Sequence, residues 1–230
     1  MKHCALQTVS SKSTSIPDKN LYHTSDGRPL YWHNLHAAIK SDLYNDVYII
    51  SDYTNIGCGL GRHIREDTSE YKTDGNHHYE AILQGLTEIE KAEGKLDYLT
   101  ILLGNNRGAT ASGLNEAFRF LQYKHEFDSC VSVSKFNMFN PYRAFKCKDN
   151  KLSNWVDPEI IKQNQVDLND KNAFDDTYFF NGSFWMVKRD VLVENNGMPP
   201  FTWLGKNILP YIQDEGIMEL DAPWQLKNIL

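Results

Sequence analysis

The segment Asp46-Val47-Tyr48-Ile49-Ile50-Ser51-Asp52 decides the fold class of this 230-residue chain. Its uninterrupted apolar centre predicts a strand that is buried on both faces, as strands of parallel sheets are. Similar runs predict further strands at 5–9, 98–103 and 129–134. Helical apolar spacing separates these strands, at 30–39, 77–91 and 112–121. The alternation predicts a three-layer α/β/α fold with a mainly parallel sheet and right-handed crossovers.

Local signals refine this plan. Asn34 is placed to cap the first helix and Ser112 to cap the third. The apolar segment 178–187 predicts strands around a turn at Asn181-Gly182. Residues 216–221 predict a final strand, followed by a short closing helix through Leu226.

Length and composition predict one domain spanning 1–230, with an excursion or dimerisation arm around 137–175. The net charge of −6 argues against a protein that coats nucleic acid or an anionic membrane. No signal peptide is recognisable, and no apolar run approaches the roughly 18 residues of a membrane span. Four scattered cysteines without a CxxC pair predict reduced, mostly buried thiols rather than a zinc site or disulfide framework. We therefore expect a cytoplasmic protein.

The polar stretch Val9–Leu21 follows the first predicted strand and combines small hydroxyl residues with Lys12, Lys19 and a proline. It is either a solvated surface loop or a phosphate-binding loop, in which backbone N–H groups approach an anion and lysines supply charge. Ligands of open α/β sheets collect at the carboxyl ends of the strands. This rule places the loop, Asp52 and residues 104–108 on one rim.

Two acidic residues near the end of the sequence are candidates for a metal site. Glu219 and Asp221 would point to the same face of the predicted strand, where paired carboxylates suit Mg²⁺ shared with phosphates. The alternative is an exposed strand face that carries two acids. Asp52 could bind a ligand, a metal or a helix N-terminus.

Other sequence patterns give weaker evidence for a functional site. His77 and His78 are adjacent and point in different directions, which disfavours a metal site. The Gly57-x-Gly59-x-Gly61 run lacks the spacing of a dinucleotide fingerprint. Because Gly-x-Ser-x-Gly, Walker and HExxH motifs are absent from the sequence, hydrolase and ATPase templates find no support.

Taken in order, the motifs resemble the acylneuraminate cytidylyltransferase family from residue 5 to about 228. Asp52 falls where the family has a strand that ends in Ser/Thr-Asp, and Asp74 falls where the family has an aspartate before a helix. The family's first loop and the GKPL motif that follows it correspond to Val9–Leu21 and Gly27-Arg28-Pro29-Leu30. The later motifs correspond to Leu102-Leu103-Gly104-Asn105, Asn181-Gly182, Glu219-Leu220-Asp221 and Pro223-Trp224-Gln225-Leu226. The resemblance implies a nucleotide-diphospho-sugar transferase-like, Rossmann-like fold.

The resemblance also implies an activity. CTP would activate a 3-deoxy-2-keto sugar acid of the sialic, legionaminic, pseudaminic or Kdo type, giving a CMP-sugar and pyrophosphate for surface polysaccharide or glycan biosynthesis. It implies catalytic roles for Lys19 and Asp221, Mg²⁺ on Glu219 and Asp221, and a homodimer formed through 137–175. The implied nucleotide-binding residues are Ser10, Ser11, Lys12, Ser13, Lys19, Asn20 and Asp74. The implied substrate-binding residues are Asn105, Arg143 and Asn181, although a structural role for Arg143 is an equal alternative.

The chain departs from the family pattern at five positions, and at two of them Ser11 and Lys12 replace the two glycines of the first loop. Ser10 and Thr14 stand where the family has an arginine and a lysine, and Gly104 replaces a glutamine that contacts the sugar. These changes keep open a second hypothesis, a catalytically weak relative that binds a nucleotide or a sugar. A third hypothesis is a GT-A-type glycosyltransferase. It is disfavoured because the acidic motif of those enzymes follows a central strand, whereas Glu219 and Asp221 lie near the C-terminus.

Overall fold

The computed structural model describes residues 1–56, 59–69, 71, 77–163, 169–170, 173–214 and 216–228. Within these ranges one sheet has seven strands. The strands are β1 (His3–Val9), β2 (Val47–Ser51), β3 (Arg62–Arg65), β4 (Tyr98–Leu103), β5 (Ser129–Lys135), β8 (Tyr178–Lys188) and β9 (Ile208–Gln213). A separate hairpin pairs β6 (Phe145–Lys148) with β7 (Lys151–Asn154).

The sheet order is β3-β2-β1-β4-β8-β5-β9. Strand β8 runs antiparallel to both of its neighbours, and the other adjacent pairs are parallel. The helices are α1 (Leu30–Lys40), α2 (His77–Glu93), α3 (Ala111–Tyr123), α4 (Pro158–Gln163) and α5 (Arg189–Glu194). Short 3-10 helices span Lys19–Leu21, Asn137–Phe139, Pro141–Arg143, Thr202–Leu204 and Pro223–Asn228.

Helices cover both faces of the sheet. The apolar stripe of α2, which includes Ile82 and Ile89, packs with α5 against one face. Helices α1 and α3 pack against the other, where Leu35 and Leu114 meet alternate strand residues. The predicted three-layer, mainly parallel α/β fold is therefore confirmed.

Glycine lets α2 lie close to the sheet. A Cβ at Gly85 would lie 2.4 Å from Cδ2 of Leu6, a fully buried side chain of β1. Any larger residue would push the helix or the leucine away, because cores of this density have little free volume.

Both predicted helix caps are wrong. Helix α1 starts at Leu30 directly after the extended Pro29, so Asn34 lies inside the helix and is fully buried. In α3 the cap is Thr110, whose Oγ1 accepts a hydrogen bond from the Gly113 amide at 3.1 Å, and Ser112 lies within the helix.

The predicted hairpin at Asn181-Gly182 is also wrong. Residues Tyr178–Lys188 form one strand, because β5 pairs with it both before and after Asn181-Gly182, at 178–180 and 185–187, and β4 pairs with 185–188. The positive φ of Gly182 (78°) and a register shift between Val131 and Val133 absorb the irregularity.

The predicted strand at 216–221 is wrong as well, although a helix does follow it, as a 3-10 helix. The backbone of this segment bonds to loops, with the Leu220 amide donating to the Asn105 carbonyl at 2.8 Å. The sheet edge beside β5 is formed instead by β9, and the opposite edge by β3; the sequence predicted neither strand.

The predicted excursion at 137–175 contains two 3-10 turns, the β6–β7 hairpin and α4 among its described residues. It exposes several large apolar side chains, namely Met138, Phe139, Phe145, Leu152, Trp155 and Ile160. Cys4 and Cys130 are free and buried, Cys147 is free and exposed, and Cys58 lies outside the described residues. None of the helices in the described ranges combines the length and apolar character that crossing a membrane requires.

Candidate functional site

The carboxyl ends of β1 and β4 meet where the opening loop begins. The Gly104 amide donates to the Thr8 carbonyl at 3.1 Å, and the Asn20 amide group donates to the Ser10 carbonyl at 2.8 Å. A Cβ at Gly104 would lie 3.0 Å from that same Thr8 oxygen and 3.2 Å from Oδ1 of Asn20. Glycine at this position therefore allows the loop to close tightly over the strand ends.

Asp52 holds the opening loop. Its two carboxylate oxygens accept hydrogen bonds from the Ser11 amide (2.8 Å) and the Ser11 hydroxyl (2.5 Å). Asp52 thus binds a loop backbone at the end of β2, and it does not line the cavity described below. Two further predicted phosphate-loop residues, the exposed Lys12 and the partly exposed Ser13, bond to neighbouring groups. The Lys12 ammonium donates to Thr68 Oγ1 at 3.1 Å, and the Ser13 hydroxyl accepts from the Ile16 amide at 3.3 Å.

The predicted acidic pair is brought together with Asn105 and Lys19. The Asn105 side chain donates to Glu219 Oε2 at 3.4 Å and to Asp221 Oδ1 at 3.1 Å. The Lys19 ammonium lies 2.6 Å from the same Asp221 oxygen. Burial, and then the charge of Asp221, raise the pKa of Glu219 to about 7. The cluster therefore joins two carboxylates, an amide and one ammonium within hydrogen-bonding distance.

The irregular segment that carries the acids is fixed by its surroundings. Leu220 is fully buried against Ile16 and Leu30. The Gln225 side chain accepts from the Asp221 and Ala222 amides (2.8 and 2.6 Å) and donates to the Glu219 carbonyl (2.7 Å). These contacts hold Glu219 and Asp221 in place without the strand that the sequence predicts.

Gly182 forms the surface on which Glu219 lies. A Cβ at this position would lie 2.2 Å from Cγ of Glu219 and 2.6 Å from its Oε1. Together with its positive φ, this contact requires glycine. The Asn-Gly motif therefore shapes the acidic site rather than a turn.

The acidic pair fits a divalent cation that takes further oxygens from a ligand. Glu219 is removed from water beside a second carboxylate, an arrangement that favours a hard cation. Among the described residues, no group of three or more His, Cys, Asp or Glu side chains could hold a metal ion. Protein oxygens alone are thus too few here, and Mg²⁺ commonly completes its shell with substrate phosphates.

Two cavities lie on either side of Asn105 and Glu219. The first, of about 360 Å³, reaches from Ser10 and Lys19 to a far wall that includes Glu66 and His78. The second, of about 310 Å³, is lined by the 105–108 loop and by Ile217. The predicted residues Ser10, Lys19, Asn20, Asn105, Glu219 and Asp221 all line the first cavity.

Two of the predicted substrate-binding residues, Arg143 and Asn181, line neither cavity. Arg143 is exposed in the excursion. Asn181 is buried, and its side-chain amide donates to Ser134 Oγ and Gln213 Oε1, both at 3.0 Å. Asp74 lies outside the described residues.

The sequence did not indicate that Asn34 supports the site through hydrogen bonds to the backbone. The Asn34 amide donates to the Leu103 and Ser183 carbonyls (3.1 and 3.2 Å) and accepts from the Ala109 amide (3.0 Å). Through these hydrogen bonds Asn34 joins α1 to the end of β4 and to β8. Two of its partners, Leu103 and Ala109, lie before and after Asn105 in the sequence. An asparagine on the apolar face of a helix is the signal that could have indicated this role, since buried polar groups need partners.

His78 was identified in the sequence only as a weak metal candidate, yet it lines the first cavity. Its Nε2 lies 3.2 Å from Thr8 Oγ1, and burial lowers its pKa to about 4. The imidazole is therefore neutral at physiological pH, and its ring edges face Trp185 and Trp203.

Comparisons with known proteins find similar folds but no similar sequences. The sequence matches no protein-family model and no curated protein. Among solved structures, a CMP:2-keto-3-deoxy-manno-octonic acid synthetase complexed with CTP matches with a TM-score of 0.67 and 13% identity, over 100% of this chain and 97% of that chain. A 4-diphosphocytidyl-2C-methyl-D-erythritol synthase from Anaerococcus prevotii gives 0.64 and 7%, over 99% and 96%.

The bifunctional IspDF from Campylobacter jejuni gives a TM-score of 0.65 at 11% identity, over 100% of this chain and 54% of that larger chain. At these identities the comparisons bear on the fold, and the closer resemblance to acylneuraminate cytidylyltransferases stays a prediction. The chain therefore has the nucleotide-diphospho-sugar transferase-like α/β fold that the CMP:2-keto-3-deoxy-manno-octonic acid synthetase has.

Proposed function

We propose that this protein is a cytidylyltransferase that joins CMP from CTP to a 3-deoxy-2-keto sugar acid and releases pyrophosphate. The observation that carries the proposal is the cluster of Lys19, Asn105, Glu219 and Asp221 at the carboxyl edge of the sheet. The order of the sequence motifs supports it, as does the fold shared with a synthetase that was solved with CTP.

The opening loop would bind the triphosphate. Free backbone N–H groups of the loop, the hydroxyls of Ser10 and Ser13, and Lys12 can turn toward an anion, while Ser11 donates to Asp52 and so holds the loop in place. Lys19 supplies the positive charge beside the acidic pair. Asn20 keeps the loop closed on β1 through the Ser10 carbonyl. Asp74 would add a nucleotide contact, as the family pattern predicts.

Glu219 and Asp221 would hold Mg²⁺, which would supply charge neutralisation at the phosphates. The anomeric hydroxyl of the sugar acid attacks the α-phosphorus of CTP, and pyrophosphate leaves without a covalent enzyme intermediate. The chain contributes positioning and electrostatic stabilisation, with Lys19 placed to balance developing negative charge.

Asn105 and Arg143 are the proposed sugar-acid contacts, and Asn181, whose buried side-chain amide bonds to Ser134 and Gln213, has a structural role. Arg143 is exposed in the excursion, where a guanidinium suits a substrate carboxylate. We propose a homodimer in which this excursion reaches the partner subunit. The exposed side chains of Phe145, Leu152 and Trp155 supply the apolar surface for such an interface. A cytoplasmic location and a role in surface polysaccharide or glycan synthesis are part of the same proposal.

A nucleotide screen tests the proposal. We expect CTP with Mg²⁺ to raise the melting temperature, and keto sugar acids to elicit pyrophosphate release from CTP. The absence of both effects across a panel of sialic, legionaminic, pseudaminic and Kdo-type acids would overturn the function. A CTP-dependent shift without turnover would instead favour a catalytically weak nucleotide-binding relative, to which the altered positions Ser10 and Thr14 point.

Substitution of Asp221 tests the metal assignment. The side chain is 58% exposed, so Asp221→Ala should leave the melting temperature nearly unchanged. Mg²⁺-dependent turnover should fall on the order of 100-fold or more, since charge stabilisation at the phosphates is lost. Glu126→Ala, an exposed acid near the opposite edge of the sheet, is the matched control. Full activity in Asp221→Ala would remove this residue from the site.

A further inference from the structure

The first cavity has two chemically different ends. One end carries Lys19, Glu219 and Asp221, which suit phosphates and a cation. The far wall carries Glu66, His77, His78 and Ala81, whereas Trp185 and Phe201 line the cavity on the β8 side, and the strands β2, β1 and β4 separate β8 from β3. A nucleotide with its phosphates at the first end therefore places its base against the far wall.

The far wall suits a flat, uncharged ring. His78 is neutral, because burial lowers its pKa to about 4, and its Nε2 pairs with Thr8 Oγ1. The His78 ring and Ala81 supply the surface on which a base can lie. Such contacts do not distinguish one base from another, because every base has a π-face. Polar groups of the wall must therefore supply any preference.

Glu66 is the acidic group of that wall. Its backbone amide donates to the Ser51 carbonyl at 2.9 Å, which fixes the residue at the end of β3. Tyr71 donates its hydroxyl to Oε1 at 3.0 Å. Among the described contacts, Oε2 has no donor, and burial raises the pKa of the carboxyl. Lys12 and His77 are the positive groups that act on this carboxyl, and Lys12 donates its own hydrogen bond to Thr68.

We propose that Glu66 selects cytosine over uracil by accepting a hydrogen bond from the 4-amino group of the base. Uracil carries a carbonyl oxygen at that position, so it would set an acceptor against the Glu66 carboxylate. This inference rests on the proposed function, since it assigns the base end of the same nucleotide site. It adds a specificity-determining residue that the sequence motifs do not indicate.

Binding measurements with three triphosphates test the assignment. Calorimetry would compare CTP, UTP and the triphosphate of pyrimidin-2-one riboside, which lacks the 4-amino group, on the full chain. In the wild-type protein, CTP should bind about 10- to 100-fold more tightly than either analogue, the range of a hydrogen bond to a charged group. This comparison needs no variant, so it tests the proposal even if a substitution destabilises the protein.

The variant Glu66→Gln sharpens the test. Its amide can donate to the uracil carbonyl, so the preference for CTP over UTP should shrink by about 10-fold or more. Asp67→Asn makes the same change of charge at the next, exposed position and should keep the wild-type preference.

Three outcomes decide the matter. A lost preference in Glu66→Gln alone supports the assignment. A preference that stays within about threefold of the wild type overturns it while the proposed function stands. A wild-type protein that binds none of the triphosphates overturns the proposed function itself, and this inference with it.

Discussion

Replacing Asn34 by leucine should destabilise the protein more than any local property of helix α1 predicts. The side chain is fully buried and makes three hydrogen bonds of 3.0–3.2 Å to backbone groups outside its own helix. Leucine has a similar size and a higher helix propensity, so packing and propensity change little. The substitution therefore isolates the three hydrogen bonds.

The expected loss is on the order of 3 kcal/mol in the free energy of unfolding, at about 1 kcal/mol for each hydrogen bond. For a chain of this length that loss lowers the melting temperature by roughly 6–12 °C. Urea unfolding with linear extrapolation measures the free energy, and thermal denaturation measures the midpoint. Asn115→Leu, at an exposed position of α3, supplies the matched change in propensity.

The reasoning is refuted if Asn34→Leu and Asn115→Leu differ by less than about 0.5 kcal/mol, which is within the range of ordinary surface substitutions. A loss confined to CTP binding would also refute it, since the hydrogen bonds join α1 to β4 and β8 and not to a ligand.

Two further perturbations test the core. Gly85→Ala should lower the free energy of unfolding in urea by about 1–3 kcal/mol, because the added methyl group overpacks against Leu6. When Leu6→Ala is made in the same chain, the added methyl group should have no further cost. Additive losses of the two substitutions would contradict the contact. Burial lowers the pKa of His3 from 6.5 to about 3, so the unfolded chain binds the additional proton, and stability falls as the pH drops through this interval. Near pH 5 this loss is about 2 kcal/mol, and urea unfolding of His3→Gln should show a pH dependence smaller by that amount; an unchanged dependence would exclude His3 as its source.

The sequence predicted the central strands and α2 because their signals are local. A buried parallel strand such as Tyr98–Leu103 is apolar throughout, and the apolar stripe of α2 has helical period whatever lies beside it. The position of the rim was also predicted, because the carboxyl ends of parallel strands lie along the same edge of a sheet. Lys19, Asn105, Glu219 and Asp221 meet there, although no residue of one segment specifies its contacts with another.

The errors arise where tertiary contacts outweigh a local signal. Asn181-Gly182 has the composition of a hairpin turn, but the segments before and after it, 178–180 and 185–187, both pair with β5, so the chain continues in one direction. Strand β9 was missed because Pro210 interrupts it, and a proline is tolerated there because β9 lies at the sheet edge. Glu66 gave no sequence signal, since only the folded wall of the cavity shows what it faces.

The ion pair between Lys19 and Asp221 joins residues 202 positions apart in the chain. Contacts of such long range form late during folding, because the loop between them must be closed before they contribute any stability. During synthesis the N-terminal half emerges first and carries Lys19 without its carboxylate partner. The proposed capacity to bind a nucleotide would therefore arise after most of the sheet has formed, and a folding intermediate with native-like secondary structure would still lack it.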